Sequence, residues 1–223
     1  MKLTPHPCSG RHAALDAEII LHEYTHAVIE RLAGGRLMWN TNSSPQGRAL
    51  AEGFCDYFSL SILNYLTSPN IRTTFGSWIG GSTGIRRLPY DDTFQGTFAD
   101  LGKLGFREEH DVGQIWATCL FQINRKLGQR VNDAARGCRM GWRIVLDSLP
   151  QLAPGSTGPN FLDARDAILN AFSQGPKGSD FQGIDYHTTN QDLWEVFAKF
   201  GMGPQALCTG ADFMNQHIQA DFG

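Results

Sequence analysis

Charge is scarce in this chain and carries no pattern. Only 18% of the 223 residues are charged, and 19 Lys and Arg against 22 Asp and Glu leave a formal net charge of −3. No run of Lys or Arg is present, which argues against nucleic acid or an anionic membrane surface as the partner. No uninterrupted apolar stretch reaches the roughly 18–20 residues that a transmembrane helix needs. The first twelve residues, Met-Lys-Leu-Thr-Pro-His-Pro-Cys-Ser-Gly-Arg-His, lack the apolar core of a signal peptide. Cysteine is sparse as well. Cys8, Cys55, Cys119, Cys138 and Cys208 are widely scattered, form no C-x-x-C pair, and so argue against a thiolate zinc site or a disulfide scaffold. Their odd number leaves at least one unpaired within the chain. Cys55 and Cys119 fall in helical patterns and read as small core hydrophobes. At 41% hydrophobic residues the composition is that of an ordinary soluble protein with one large domain or two small ones.

Against these absences stands one stretch, His22-Glu23-Tyr24-Thr25-His26, set in a segment that reads as a helix from an Asp16 cap to Leu32. Ile19, Ile20, Val28, Ile29 and Leu32 give that helix its apolar faces, and Gly34-Gly35 ends it. Two histidines four apart share a helical face, one turn from each other, so both imidazoles can reach one metal ion. Zinc takes imidazole nitrogen and, in catalytic sites, keeps one position open for water. The glutamate beside the first histidine can accept that water's proton. The bland alternative is a buried helix whose two polar histidines happen to be spaced by four.

The rest of the chain reads as mostly helical. A polar connection from Gly34 to Gly47, which contains the glycosylation sequon Asn42-Ser43-Ser44, precedes a second helix over Ala49–Leu66. That helix is apolar all round, as suits a central element. Residues 67–107 are rich in Gly, Thr and Pro and read as a long functional loop holding at most short strands. A third helix is expected from Glu108 to Leu127. Its stripe is Val112, Ile115, Trp116, Cys119, Leu120, Ile123 and Leu127, with Gly128 as its stop. Further helices are expected near 131–149, from Asn160 to Phe172, and from Asn190 to Phe200, punctuated by Pro150, Pro154, Gly155 and the stretch 174–188.

A catalytic zinc needs a third protein ligand, and the second helix offers Glu52, which would complete a His₂Glu set. Asp56, one turn on, can hydrogen-bond the far nitrogen of a ligand histidine and fix its tautomer. An ordinary solvated acidic face is the competing reading, and the apolar neighbours Ala51, Phe54, Cys55, Tyr57 and Phe58 weigh against it. Gly53, a poor helix residue, points to close approach by another element. His110 sits in the first turn of the third helix between Glu109 and Asp111. A histidine near zinc can donate to a developing oxyanion; taken alone, His110 reads better as an exposed histidine at a polar helix start. His6, His12, His187 and His217 have no partners at ligand spacing and read as surface residues.

With these residues assembled, the chain resembles the fungalysin family of zinc endopeptidases, relatives of thermolysin among the gluzincins. Ile20-Leu-His-Glu-Tyr-Thr-His-Ala-Val-Ile-Glu-Arg-Leu-Ala-Gly-Gly35 is similar to the family's zinc helix. Ala51-Glu-Gly-Phe-Cys-Asp-Tyr-Phe58 is similar to its G-E-G-W-S-D-F motif, and Gly84-Ile-Arg-Arg-Leu-Pro-Tyr90 to its R-x-x-P-Y. His110-Asp-Val-Gly-Gln-Ile-Trp-Ala117 is similar to its H-x-x-G-E-x-W-A, and segments 161–169 and 194–203 resemble its C-terminal helices. The resemblance implies that His22, His26 and Glu52 bind one zinc ion and that Glu23 is the general base. It also implies that His110 stabilises the oxyanion, reversing the reading of that residue alone, and that Arg86 or Arg87 helps hold the substrate backbone. Cys55 stands where the family has serine, Gln114 where it usually has glutamate, and Ala27 where glycine usually follows the second histidine.

Family members carry a β-rich lobe ahead of the zinc helix, with the substrate cleft between the lobes. Few residues precede that helix here. The expected architecture is therefore a mainly α, thermolysin-like C-terminal lobe over residues 14–223 with an N-terminal extension over 1–13. A separate chain or a lobe outside this sequence then completes the cleft, unless the cleft dispenses with it. The expected function is a zinc endopeptidase acting on polypeptides, secreted as the family largely is. The alternative is a catalytically inactive, zinc-stabilised binding or structural module; the intact Glu23 favours the enzyme.

Overall fold

A computed structural model describes residues 10–35, 37, 44–152, 158–176, 178–214 and 216–223. They form seven helices: α1 (Ala17–Leu32), α2 (Pro45–Thr67), the single-turn α3 (Ser77–Gly80), α4 (Glu109–Val131), α5 (Ala134–Ser148), α6 (Phe161–Ser173) and α7 (Tyr186–Lys199). Apart from isolated bridges, strand structure among the described residues is one antiparallel pair, β1 (Leu207–Cys208) and β2 (Ile218–Gln219), in register Leu207↔Gln219. The architecture is mainly α, as expected. No described helix is long and apolar enough to cross a membrane. Cys8, His6, Asn42, Pro154, Gly155 and most of the expected N-terminal extension lie outside the described residues.

Helix ends follow the local chemistry closely. Asp16 caps α1 by accepting the Glu18 N–H at 3.0 Å, and Gly34 and Gly35 end it in the left-handed region, at φ 68° and 73°. α2 starts a turn before the expected Ala49, because Ser44 caps it and Pro45 takes the first helical position, where no N–H is required. α4 runs through Gly128 and stops at Asn132, which adopts φ 51°. Gly128 serves a contact rather than a stop. A Cβ on Gly137 of α5 would fall 2.2 Å from the Gly128 nitrogen, and one on Gly141 would fall 1.7 Å from Asn124 Oδ1. α5 consequently begins at Ala134, and α7 at Tyr186 behind an Asp185 cap, both displaced from the expected starts at 131 and 190.

α2 is the central element, buried continuously from Ala49 to Ser61. α1 and α4 flank it, and α5 packs on α4. Trp116 of α4, wholly buried, meets Phe54 edge-on at 5.7 Å, Phe161 at 5.4 Å and Phe197 at 6.2 Å between ring centroids. Burying one such ring contributes roughly 4–6 kcal/mol of transfer free energy, so this cluster ties four helices together.

The loop between α2 and α4 contains α3 and one short 3-10 turn, with no strand among its residues. Its two arms run side by side on two widely spaced bonds: Ile85 N–H donates to Phe75 O at 2.8 Å and Tyr90 N–H to Thr73 O at 2.7 Å. Gly84, at φ 69°, permits this approach, since a Cβ there would lie 2.2 Å from Phe75 O. Two buried carboxylates at the start of α1 hold the loop down. Glu18 accepts from the Gly76 N–H at 2.5 Å, and Asp16 from the Ile79 N–H at 3.2 Å. From the other side, Gln114 of α4 donates to Leu88 O at 2.7 Å.

Candidate metal centre

The functional candidates converge where α1, α2 and the start of α4 meet. His22 and His26 point from one face of α1 at Glu52 of α2. Their Nε2 atoms are 3.0 Å apart, His22 Nε2 lies 3.1 Å from Glu52 Oε2, and His26 Nε2 lies 3.5 Å from Glu52 Oε1. Donors bound at 2.0–2.1 Å around a tetrahedral zinc stand about 3.3–3.4 Å apart, so these spacings fit the edges of such a shell. Glu52 Oε2 supports the same fit. It is buried and has no hydrogen-bond partner, although His22 Nε2, His110 Nε2 and Arg86 Nη2 surround it at 3.1, 3.3 and 3.7 Å. The nitrogens stand close to the oxygen without meeting hydrogen-bond geometry. A cation among the three donors would satisfy all of them.

A second set of bonds fixes the first. Asp56, one turn past Glu52, accepts the His22 Nδ1–H at 2.7 Å, which turns Nε2 toward Glu52. Asp56 is itself held by Arg86, through Nε at 2.7 Å and Nη2 at 2.9 Å, and by the Tyr90 hydroxyl. Phe75 packs under both groups, 5.4 Å from the His22 ring and 4.8 Å below the Arg86 guanidinium. Burial would push the Asp56 carboxyl up, but the charge of Arg86 and the His22 bond hold it far below its ordinary value. Burial likewise opposes the His22 imidazolium, yet Asp56 and Glu52 bring its pKa to about 9 in the metal-free state. His26, lacking such a partner at Nδ1, is driven down to about 4 by burial and by the charge of His22.

His110 stands at the open edge with its side chain 42% exposed. Glu108 caps α4 by accepting the His110 N–H at 2.9 Å and takes the ring Nδ1 at 2.5 Å, which turns Nε2 toward Glu52. Glu23, half-buried, lies on α1 beside His22. Arg87 points elsewhere. It donates to Gly105 O at 2.9 Å, pairs with Asp111 at 3.5 Å and stacks on Phe106 at 4.7 Å. Residues 86 and 87, equivalent in the sequence, therefore differ: Arg86 belongs to the Asp56 cluster and Arg87 to the loop's outer turn.

The close approach foreseen at Gly53 is made by α4. A Cβ on Gly53 would lie 2.6 Å from Gly113 O and 2.9 Å from Trp116 Cβ. This contact brings His110, one turn before Gly113, up to Glu52. Three partners escaped the sequence reading: Glu108 as the orienter of His110, Tyr90 as a second donor to Asp56, and Gln114 as the anchor of Leu88. Tyr90 alone had a signal, its place in the R-x-x-P-Y segment. Cys55 is a buried helical residue as expected, but it is not remote. Its sulfur and a ring nitrogen of each of His22 and His26 all lie within 4.8 Å of one another.

The unit is mainly helical, with H-E-x-x-H on one helix facing a glutamate from the next. The sequence profile of the fungalysin metallopeptidases matches residues 4–206, and the chain belongs to that family. It is 31% identical over 210 residues to extracellular metalloproteinase 2 of Arthroderma otae, covering 86% of this chain and 31% of that protein. It is 30% identical over 217 residues to extracellular metalloproteinase 1 of Phaeosphaeria nodorum, covering 88% and 32%. The probable extracellular metalloproteinase 2 of Arthroderma benhamiae is 32% identical over 211 residues, covering 87% and 31%. The chain thus spans about a third of the length of these relatives.

Proposed function

We propose that this chain is the zinc-binding part of an endopeptidase that hydrolyses polypeptides outside the cell. His22, His26 and Glu52 hold the ion, and when bound the zinc polarises the scissile carbonyl and the attacking water. Glu23 takes the proton of that water and passes it to the leaving amine. His110 donates from Nε2 to the oxygen on which charge develops, with Glu108 keeping the ring in that orientation. Asp56 fixes the tautomer of His22, and Arg86 and Tyr90 fix Asp56. The observation that carries this reading is the mutual spacing of 3.0–3.5 Å among the three ligand groups around an unsatisfied carboxylate oxygen.

The substrate's other wall comes from a further lobe or a separate chain. Ile20 and Tyr24, exposed by 45% and 68% on the helix that carries the histidines, give that wall an apolar edge to rest on. Export is supported by the relatives, which are named as extracellular proteinases.

The test is digestion of casein by the chain beside its Glu23→Gln variant, with zinc content measured in both. Cleavage by the parent alone, stopped by a chelator, supports the peptidase; equal cleavage by both sinks the role of Glu23. If neither cleaves while both bind zinc, the second reading takes over, a catalytically inactive, zinc-stabilised binding or structural module. Both readings require a chelator to lower the melting temperature, since an ion held at a thousand times its Kd stabilises the fold by about 4 kcal/mol.

A further inference from the structure

Cys55 is buried, lies one turn after Glu52 on the same face of α2, and sits beside the two histidines. The histidine pair therefore faces two different third donors, an oxygen at Glu52 and a sulfur at Cys55. We propose that Cys55 is a second-choice ligand of this centre, recruited by thiophilic cations such as Cd²⁺ into a His₂Cys arrangement. The proposal rests on reading the site as a metal centre.

The geometry permits it. For nitrogen at 2.0–2.1 Å and sulfur at about 2.3 Å from a tetrahedral ion, the nitrogen–sulfur edge is about 3.6 Å. From 4.8 Å or less, the sulfur needs to close by at most about 1.2 Å, which takes a turn of about 40° about its Cα–Cβ bond, off the staggered rotamer. An independent sign that the pocket is built for a cation is the buried Glu52 Oε2 that no protein donor satisfies. Carboxylate oxygen suits harder ions and thiolate sulfur softer ones, so a cation softer than zinc, such as Cd²⁺, draws more on Cys55. In the step itself the Cys55 S–H bond breaks, a sulfur–metal bond forms and the proton leaves to water; nothing is oxidised or reduced.

The experiment titrates the metal-stripped chain and its Cys55→Ser variant with Cd²⁺ alone, reading sulfur-to-cadmium charge-transfer absorption and the ¹¹³Cd NMR shift. Zinc affinity is measured in parallel by competition. The expected result is one equivalent of sulfur-bound Cd²⁺ in the native chain. In Cys55→Ser that equivalent is lost or weakened by at least about ten-fold, and zinc affinity falls by less. An unchanged sulfur signal in the variant assigns it to another cysteine and overturns the proposal. So does a native ¹¹³Cd shift in the nitrogen and oxygen range, a readout that needs no variant and covers a Cys55→Ser chain that fails to fold. In either case, stoichiometric zinc binding leaves the metal-centre reading standing. If the native chain binds neither ion, both fall together.

Discussion

Gly53 and Gly113 face each other across the crossing of α2 and α4 with no room for a methyl group between them. A Cβ on Gly53 would lie 2.6 Å from Gly113 O, and one on Gly113 would lie 2.8 Å from Ala49 O and 3.0 Å from Glu52 Cβ. The neighbour of one glycine is Glu52, and His110 lies one turn before the other, so the crossing sets the distance between them. Gly53→Ala is expected to destabilise the fold by about 1–3 kcal/mol through overpacking. It should also weaken zinc binding by pushing Glu52 off α1. Denaturant midpoints and zinc competition check this, and an unchanged midpoint would refute it.

Asp56→Asn removes the charge that Arg86 and His22 share. Breaking one side of a buried ion pair typically costs about 3–5 kcal/mol, and losing the carboxylate behind a ligand histidine lowers metal affinity about 10–100-fold. Tyr90→Phe leaves the carboxylate with one donor fewer and should cost about 1–3 kcal/mol. If Asp56→Asn binds zinc as tightly as the parent, the ligand role of His22 is in doubt.

The metal-free protein has a pH optimum of its own. His22 titrates in the fold near 9, above its ordinary 6.5. Its contribution is therefore complete below pH 6.5 and is lost as pH rises through about 9. His26 titrates near 4, below its ordinary 6.5, so its contribution is complete above 6.5 and is lost as pH falls toward 4. Melting curves in the presence of a chelator should peak near pH 6.5 and fall on both sides. Zinc must displace the His22 proton at neutral pH, so its affinity should rise with pH and its binding should release about one proton, readable by calorimetry in buffers of different ionisation enthalpy.

Glu108→Ala strips α4 of its cap and His110 of its Nδ1 partner. Loss of the cap should cost about 0.5–2 kcal/mol. If His110 acts on the developing oxyanion, kcat falls while KM and zinc content hold. A purely structural Glu108 would lower the melting temperature and leave kcat untouched.

The helices and the meeting of His22, His26 and Glu52 were legible because each rests on local chemistry. Asp16, Ser44, Asn160 and Asp185 cap, the glycines after α1 terminate, and a spacing of four puts His22 and His26 on one face. Gly128 misled because a glycine inside a helix and one that ends it look alike in sequence. Only the approach of Gly137 from α5 distinguishes them. Arg86 and Arg87 could not be separated for a related reason. Which of two adjacent side chains turns inward depends on the path of an irregular loop, and that path is set by Gly84, Gln114 and the carboxylates of Asp16 and Glu18. Glu52 and Asp56 were readable as a pair, whereas Tyr90 and Glu108 contribute through contacts without a periodic signature.

If this chain cuts peptide bonds as proposed, it is its own nearest substrate, and an irregular segment of about forty residues is the natural place for it to begin. Cleavage requires a stretch to detach and extend, so the rate of self-digestion follows the free energy of local opening. Asp16 and Glu18 set that free energy for the 76–79 turn, because lifting it would cost Glu18 its Gly76 N–H and Asp16 its Ile79 N–H. Glu18→Ala should leave the helices intact and convert the loop into an autolysis site, nicked between α2 and α4 on storage of the active protein.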